Sequence, residues 1–511
     1  MQVSPVGVFD TGKFIKKMGL VIANNSEETE EKPAICLTPE CVLASAEILQ
    51  NLSPRYQDIN PCTNFDQYVC EGFNEKHDLR PDQGRVFTGT IMAERGEQIL
   101  KHLLEAPYAE MEAMMTMESA DNEIFRKLQN AYSACLNERK LENIRSAPLI
   151  DVLREIEQRF PAKGGNVELG GGPSQPRKQQ SLKSRDSAEA YLSDVVTYMA
   201  SIGVTSLIDV GVGADDRDPD VVVPFVNAPR SPGLPSKEYY EDEEILSKYG
   251  EVIGKVLEGL LKEANSSSLV IRPEILTRSA QLVERIVSFE HSLAKATPAT
   301  EEAEDVTFYY NPMTFQEAET LLPQIPIEHT VKTFAPHAPR PPKIIVGAPV
   351  YLEAVAKVLE ETSAETLQAY FVWKTVQAYA SKVEDEAVTP LKRFNNEMQG
   401  KDPDATPERW RTCVQVADNS LGWILSRFFV QKAFSEEARI FGDKIVSDIK
   451  EQFVKKLQKA EWMSEEVRRL GIEKGETKFL TALSASGKKS RDFVKRITCI
   501  CKILCSTIFA S

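Results

Sequence analysis

Residues Pro61–Phe73 read P-C-T-N-F-D-Q-Y-V-C-E-G-F and follow a second cysteine-bearing run, C-L-T-P-E-C, at Cys36–Cys41. Cysteines at short fixed spacing around an amphipathic stretch indicate a disulfide framework. Such frameworks persist in oxidising compartments, so the pattern predicts a protein that is exposed to one. The alternative, in which all nine cysteines of the chain are free thiols, stays open at this point.

The size and charge of the chain narrow the class of protein. A length of 511 residues exceeds the size at which one hydrophobic core usually stops growing, so we expect two or more subdomains. The formal net charge of −15 argues against nucleic acid as a partner, because its phosphates would be repelled.

Hydrophobic periodicity predicts a mainly α fold, a large multi-helix lobe with a small inserted β-hairpin. Apolar residues recur every three to four positions in six segments, which are residues 39–52, 90–104, 122–140, 188–201, 244–264 and 273–295. The last of these opens with Pro273, a residue suited to the first turn of a helix.

The clearest predicted helix covers residues 435–462. Ser435 can cap it, and the two glutamates that follow complement the positive end of the helix dipole. Its apolar strip repeats every four residues, and we expect that strip to face a core. The strip consists of Phe441, Ile445, Ile449, Phe453 and Leu457.

One β element stands out among the helices. Leu207–Val212 and Val221–Val226 are rich in β-branched residues and flank a turn-forming run, A-D-D-R-D-P-D. They predict a β-hairpin. A short apolar run at Ile344–Val346 fits either a strand or a helix, and the pattern alone does not separate the two.

The composition also predicts the boundaries of the domain. We expect a disordered tail at residues 1–34, a helical domain at 35–467 with a flexible glycine-rich insertion at 161–187, and a divergent tail at 468–511. The last segment carries ten basic and three acidic residues. It is interpreted as foreign sequence from an alternative exon or a gene-model error; a basic membrane-surface tail is the functional alternative.

No catalytic machinery is recognisable, so we assign no catalytic and no metal-binding residue. Zinc hydrolysis on a helix needs two histidines one turn apart, as in H-E-x-x-H. The five histidines are never closer than eight residues, and four residues after His291 stands Lys295. The chain also lacks G-x-S-x-G, a Walker loop and G-x-G-x-x-G.

The cysteine runs resemble the opening of the neprilysin and endothelin-converting-enzyme family of zinc peptidases. The agreement in order and spacing extends from about Cys36 to Glu466. Seven further segments carry it: D-Q-G-R-V-F (Asp82–Phe87), K-L-Q-N-A-Y-S-A-C-L-N-E (Lys127–Glu138), S-A-P-L (Ser146–Leu149), P-R-S-P-G-L-P-S-K-E-Y-Y (Pro229–Tyr240), Y-Y-N-P-M-T (Tyr309–Thr314), E-R-W-R-T-C (Glu408–Cys413) and A-E-W-M (Ala460–Met463).

The resemblance implies a helical, noncatalytic lobe that caps a thermolysin-like zinc lobe, with small peptides cleaved between them. This chain looks like the helical lobe alone. We therefore expect it to be inactive as given, to hold no zinc or other cofactor, and to have the absent zinc lobe as its packing partner. The full-length family enzyme would hold zinc. A noncatalytic peptide-binding or decoy protein is the alternative.

The resemblance also implies an extracellular or membrane-anchored location. The apolar run Met18–Ala23 is too short for the core of a signal peptide, and no run reaches membrane-spanning length. Either the protein is cytosolic or its true N-terminus differs from the one given. The second is favoured, because the resemblance begins only near Cys36.

In family terms, Cys36 pairs with Cys41 and Cys135 pairs with Cys413. Cys62 and Cys70 would then stay unpaired, since their partners belong to the zinc lobe. Arg85 matches an arginine that binds a substrate's C-terminal carboxylate; a structural salt bridge is the other interpretation. Besides Asn24, glycosylation sequons occur at Asn51 and Asn265.

Overall fold

Short-range helix signals account for most of the architecture. The computed structural model describes residues 37–106, 119–162, 185–218, 221–266, 279–334, 336 and 341–476. Within them lie nineteen helices: α1 (Pro39–Asn51), α2 (Phe65–Asn74), α3 (Thr88–Glu105), α4 (Ser119–Leu136), α5 (Glu138–Ile144), α6 (Ala147–Arg159), α7 (Arg185–Ser201), α8 (Glu243–Ser266), α9 (Ser279–Ala296), α10 (Thr300–Glu304), α11 (Val306–Tyr309), α12 (Phe315–Leu321), α13 (Ile327–Phe334), α14 (Pro349–Glu361), α15 (Ala364–Tyr379), α16 (Thr389–Met398), α17 (Arg409–Ala433), α18 (Glu436–Gln458) and α19 (Glu465–Glu476).

The mainly α prediction is confirmed, and the β element is larger than a hairpin. Strands β1 (Asp209–Ala214) and β2 (Val222–Asn227) form the predicted antiparallel hairpin. Strand β4 (Ile344–Val346), the segment left open between strand and helix, pairs parallel with β2, and β3 (Asn311–Met313) pairs antiparallel with β4. The sheet order is therefore β1-β2-β4-β3.

A buried carboxylate links the β1–β2 hairpin to the residues that lead into β3 and β4. Asp215, the residue directly after β1, is 3% exposed and accepts hydrogen bonds from the Tyr310 hydroxyl at 2.6 Å and from Lys343. The Lys343 ammonium and the tyrosine hydroxyl lower the pKa of Asp215 to about 2. Lys343 immediately precedes β4, so the cluster joins the hairpin to both later strands.

Several predicted segments fall outside the described residues. These are residues 1–34, the start of a helix at Pro273, most of the insertion 161–187 and most of the tail 468–511. The predicted helix at 122–140 divides at Asn137, whose side chain caps α5 by accepting from the Lys140 amide at 3.1 Å. Helix α19 passes the expected boundary between residues 467 and 468. Among the described helices, none is both long and apolar enough to cross a bilayer.

Contacts divide the chain into two compact units, Met1–Thr90 and Ile91–Ser511. In the first unit, the Asn64 side chain caps α2 by accepting from the Gln67 amide at 3.0 Å. Helix α2 approaches the end of α1 so closely that a Cβ on Gly72 would lie 2.2 Å from the Leu52 carbonyl oxygen. The C-E-G-F end of the opening motif therefore requires glycine at this position.

The core of the second unit is centred on α15. Leu367, Tyr370 and Phe371 on this helix join a cluster with α7, α14 and the sheet. Trp373 and Val376, on the same helix, join a second cluster with α8, α9 and α16. Because α15 is buried on more than one side, its apolar residues are not confined to a single face of the helix.

A disulfide fixes a third cluster, formed by α3, α4 and α17. Cys135 and Cys413 are bonded, with their Cα atoms 5.6 Å apart and 278 positions apart in sequence. Arg409 supports the bond by donating to the Cys135 carbonyl at 2.9 Å and to Glu384 at 2.8 Å. The E-R-W-R-T-C motif is thus a packing motif around the bridge.

The expectation that the α18 strip faces a core is wrong for most of its length. Leu457 is buried, at 6% exposure, but Phe441, Ile449 and Phe453 are between 54% and 64% exposed. The helix begins as expected, since the Ser435 hydroxyl accepts from the Ala438 amide at 3.1 Å, but it ends at Gln458 rather than at residue 462. The pattern correctly identified an apolar face. Periodicity alone does not tell whether other described residues pack against that face.

Removing the long-range disulfide should destabilise the second unit strongly. For a loop of 278 residues, the chain-entropy model gives about 5–6 kcal/mol. We expect Cys135→Ala/Cys413→Ala to lose a large part of that free energy of unfolding in urea titrations. Cys62→Ala, which removes an exposed free thiol, is the matched control and should leave the midpoint unchanged. Equal midpoints for all three proteins would contradict the assignment.

Candidate functional site

Arg85, the sequence-predicted contact for a peptide carboxylate, lies in the first unit between α2 and α3 with its side chain exposed. Its guanidinium carbon is 5.6 Å from the centre of the Phe87 ring, within cation–π range. Among the described residues Arg85 has no ion pair, so the alternative of a structural salt bridge is not realised there. The guanidinium fork therefore faces solvent with its donors available.

The cysteines of the first unit are in two states. Cys62 is exposed, Cys70 is half-buried, and both are free thiols. Cys41 is in a disulfide whose partner lies outside the described residues, where Cys36 also lies. The first unit therefore contains two thiols that form no disulfide bond with any described residue.

The two proposed glycosylation sequons differ in their surroundings. Asn51 is the last residue of α1 and is half-buried, and Ser53, the third sequon residue, is buried with its hydroxyl bonded to Glu71. Asn265 lies in the last turn of α8, and its side chain is outside the described part.

The described histidines are separate from one another. Nδ1 of His77 lies 2.9 Å from the Phe73 carbonyl oxygen, and Nε2 of His291 lies 3.2 Å from a Glu241 carboxylate oxygen. Across the described ranges, no group of three His, Cys, Asp or Glu side chains is arranged to hold a metal ion. These residues therefore do not fit the zinc that the family resemblance implies, and we derive no step through it.

An open groove of about 490 Å³ runs between α8 and α9. Five of its ten lining residues are polar, and these are Glu243, Ser247, Glu284, Ser288 and His291. Nε2 of His291 is paired with Glu241, and among the described residues no serine hydroxyl is hydrogen-bonded to the His291 ring. The groove has the size of a small-ligand site but no catalytic pairing.

A group of strongly perturbed titratable side chains lies elsewhere, around Glu290 in α9, which is fully buried. Its two carboxyl oxygens accept from the Tyr240 hydroxyl at 3.0 Å and from the Tyr249 hydroxyl at 3.3 Å. Burial raises the pKa of Glu290 to about 7, opposed by the nearby charge of Lys374. Burial also lowers the pKa of Lys374 and raises that of both tyrosines.

Helix α15 completes this network from the other side. The Tyr249 hydroxyl accepts from Trp373 Nε1 at 2.7 Å and from Gln377 Nε2 at 2.8 Å. Lys374 donates to the Ser231 carbonyl at 3.1 Å, and Gln377 also donates to the Gly233 carbonyl at 3.1 Å. The hydrogen bonds that α15 donates here therefore reach either Tyr249 or the loop before Tyr240.

Gly233 lets that loop approach the buried carboxyl. A Cβ on this residue would lie 2.0 Å from a Glu290 carboxyl oxygen, a distance that real atoms do not adopt. The Leu234 amide donates to the Tyr240 hydroxyl at 2.9 Å, which turns the loop back on itself. The G-L-P-x-x-x-Y-Y motif thus encodes a loop folded around one carboxyl group.

Strongly perturbed titratable groups can mark a catalytic site. Here the network is closed to solvent and every polar contact links one chain segment to another, so it positions the loop and the helices. Sequence reasoning missed Glu290, although a signal existed. The residue stands on the apolar face of α9, one turn after Ile286 and one turn before Leu293.

The steric constraint at Gly233 can be tested directly. We expect Gly233→Ala to lower the free energy of unfolding by about 1–3 kcal/mol, because the methyl group displaces the Glu290 carboxyl. Gly442→Ala in α18 is the control, since a Cβ added there would have nothing within 4 Å. That change should stabilise the helix by up to about 1 kcal/mol. Urea denaturation measures both; a neutral Gly233→Ala would contradict the assigned packing.

The raised pKa of Glu290 predicts a pH dependence of stability. The folded protein binds this proton more tightly than the unfolded chain, so the stabilising contribution is fully present below pH about 4.5 and is lost as pH rises through about 7. The unfolding free energy of the wild type minus that of Glu290→Gln should therefore fall across this range.

Glu317→Gln is a control of opposite sign. Hydrogen bonds from Thr314 lower the pKa of Glu317, so its contribution is lost as pH falls. Denaturant titrations across the pH range measure both differences. A Glu290 difference that stays constant from pH about 4.5 to about 7 would contradict the buried-carboxyl assignment.

Comparison with known proteins shows which family and which solved structures this chain resembles. Residues 61–477 match the model for the N-terminal part of peptidase family M13. The chain is 28% identical over 455 residues to human endothelin-converting enzyme 1, covering 87% of this chain and 52% of that protein. It is 26% identical over 472 residues to mouse membrane metallo-endopeptidase-like 1, covering 89% and 56% of the two sequences.

A solved structure supports the fold. The zinc metalloprotease Zmp1 of Mycobacterium tuberculosis, solved with an inhibitor, superposes with a TM-score of 0.62 at 19% identity, over 84% of this chain and 57% of that one. The chain spans about half the length of the curated relatives that it matches. With most of its residues inside the family match, the chain belongs to peptidase family M13, the neprilysin and endothelin-converting-enzyme family of zinc metallopeptidases.

Proposed function

We propose that this chain is the N-terminal, helical part of a zinc metalloendopeptidase that cleaves small peptides. The observation that carries the proposal is the family match over residues 61–477. Human endothelin-converting enzyme 1 supports the assignment, and this chain covers 52% of that protein's length. Cleavage would then require a second, zinc-binding part, which we call the zinc part.

The proposal includes that this chain alone does not hydrolyse peptides. Support comes from the described residues, in which no group of side chains is arranged to hold a metal ion. The network around Glu290 supports it further, because a carboxyl enclosed by Tyr240, Tyr249 and α15 has no access to a substrate.

Arg85 would contribute to substrate binding. An exposed guanidinium that is free of ion pairs to the described residues can receive a carboxylate through two parallel hydrogen bonds. We propose the C-terminal carboxylate of a peptide as its ligand. The nearby Phe87 ring would restrict the guanidinium and reduce the entropy that is lost on binding.

The cysteines and sequons fit an extracellular or membrane-anchored protein. The Cys135–Cys413 bridge supports folding in an oxidising compartment. We propose that the free thiols of Cys62 and Cys70 form disulfides with cysteines of the zinc part. Asn51 and Asn265 would be glycosylated on the same route.

A chimera tests the proposed function. Residues 1–477 of this chain, which include the whole family match, are joined to the part of human endothelin-converting enzyme 1 that follows its matched segment. We expect the chimera to bind zinc and cleave a fluorogenic peptide in a chelator-sensitive manner, and the full 511-residue chain to do neither. Turnover by the full chain alone would contradict the proposal, as would a chimera that binds no zinc. Tight peptide binding by the full chain without cleavage would instead support a peptide-binding or decoy protein.

Arg85→Ala tests the proposed carboxylate contact in the zinc-loaded chimera. Loss of a charged hydrogen-bonded pair should raise KM for a peptide with a free C-terminus by about tenfold to a hundredfold. The same peptide with an amidated C-terminus is the control, and its KM should hardly change. Arg85→Lys, which keeps the charge but not the fork, should give an intermediate value. Equal effects on both peptides would contradict the assigned role.

A further inference from the structure

Strand β1 forms one outer edge of the four-stranded sheet. It comes first in the order β1-β2-β4-β3, and among the described strands its six residues, Asp209–Ala214, pair with β2 alone. An edge strand presents a row of unpaired amide and carbonyl groups, to which another strand can add. Helix α13 also contacts β1, yet the side chain of Val212 near the middle of the strand is 67% exposed.

The hydrogen bonds to β2 determine which backbone groups of β1 point outward. Directly after the strand, the Asp215 amide donates to the Val221 carbonyl at 2.9 Å. Antiparallel pairing alternates, so every second residue back from Asp215 directs its backbone groups at β2, and the residues between direct theirs away from it. The outward set is Val210, Val212 and Ala214. Their outward amides and carbonyls form no hydrogen bond with any described residue.

The opposite edge of the sheet is protected against strand addition, whereas β1 is not. Strand β3 on that edge has three residues, and the central one is Pro312. Short length and proline both discourage the pairing of an edge with a further strand. Strand β1 is twice as long and contains neither proline nor lysine. The two edges therefore differ, and β1 is the edge that can accept a fifth strand.

Apolar side chains lie beside this edge on both faces of the sheet. On one face the Phe225 ring of β2 reaches across β1, since a Cβ on Gly211 would lie 2.3 Å from the ring and one on Gly213 would lie 3.5 Å from it. On the other face Val212 is exposed. Successive side chains of a strand point to opposite faces. An added strand would therefore place its side chains alternately beside the Phe225 ring and beside Val212.

We propose that the outer edge of β1 binds an extended peptide with apolar side chains as a fifth strand of the sheet. The length of the edge favours a peptide over a second copy of the chain. Six residues span about 20 Å, and a sheet about 10 Å thick gives a contact of about 200 Å² on each partner. A stable protein–protein interface needs about 800 Å² on each partner. This binding goes beyond the proposed function, because it requires neither the zinc part nor Arg85.

Fluorescence anisotropy tests the proposal with a fluorescein-labelled peptide, K-T-V-F-V-T-K with an amidated C-terminus, titrated with the full 511-residue chain. We expect saturable binding that Val212→Pro weakens at least about tenfold, because proline removes an outward amide and places its ring at the edge. The hydrogen bonds to β2 do not use that amide, so the hairpin keeps its pairing. Val222→Pro on β2 is the matched control, since Val222 is also 67% exposed and its amide points away from β1. Its affinity should be unchanged.

Hydrogen exchange of single amides in the wild-type chain is a second measurement that needs no variant to fold. Saturating peptide should slow exchange at Val210, Val212 and Ala214 at least about tenfold, because these amides gain hydrogen bonds. The amides of Gly211 and Gly213 already point at β2, so their exchange should hardly change. An alternating pattern of protection is specific to strand addition, since a peptide bound on a face of the sheet would not produce it.

Several results would overturn the inference. These are no saturable binding at millimolar peptide, equal affinities of the wild type and Val212→Pro, and protection that does not alternate along β1. Outward amides that are protected in the free chain and lose protection on dilution would assign the edge to a second copy, and protection at every concentration would assign it to a segment of the chain itself; both contradict the proposal. None of these results bears on the proposed function, because the amidated peptide offers Arg85 no carboxylate and the assay uses no zinc.

Discussion

The carboxyl group of Glu290 cannot be buried alone, and the second unit is organised around meeting that requirement. Tyr240 and Tyr249 supply the hydrogen bonds, and α15 supplies the cation of Lys374. Burying an unpaired carboxyl group in this position would cost several kcal/mol, which is comparable to the net free energy of unfolding of a typical domain. The loop around Gly233 also approaches the Glu290 carboxyl group, so closely that no Cβ fits between them.

The motifs that carry the family resemblance prove to be structural where they can be followed. Arg409 in E-R-W-R-T-C holds the backbone beside a disulfide, and Tyr310 in Y-Y-N-P-M-T holds the turn of a hairpin through Asp215. In S-A-P-L, the Ser146 amide donates to the buried Asp385 carboxylate at 3.1 Å. These segments are informative about the fold because each meets a demand for buried hydrogen bonds; they say nothing about the reaction.

Sequence reasoning succeeded where the determinants are local. The Ser435 cap and the hairpin turn lie within a few residues of what they determine, and both elements form as predicted. The parallel pairing of β2 with β4 joins segments more than a hundred residues apart, which no periodicity encodes. The same limit explains why neither the exposure of Phe441, Ile449 and Phe453 on α18 nor the burial of Glu290 was predicted. Residues far away in the sequence determine what covers an apolar strip and what pairs with a buried carboxyl group.

The bridge between Cys135 and Cys413 has a consequence for how damage to this protein would be detected. More than half of the chain lies between the two cysteines. A protease that cuts once within that span leaves both fragments covalently tied, so the nicked molecule keeps its mass until a reductant separates the pieces. Integrity judged without reduction would therefore count cut and intact molecules as one species.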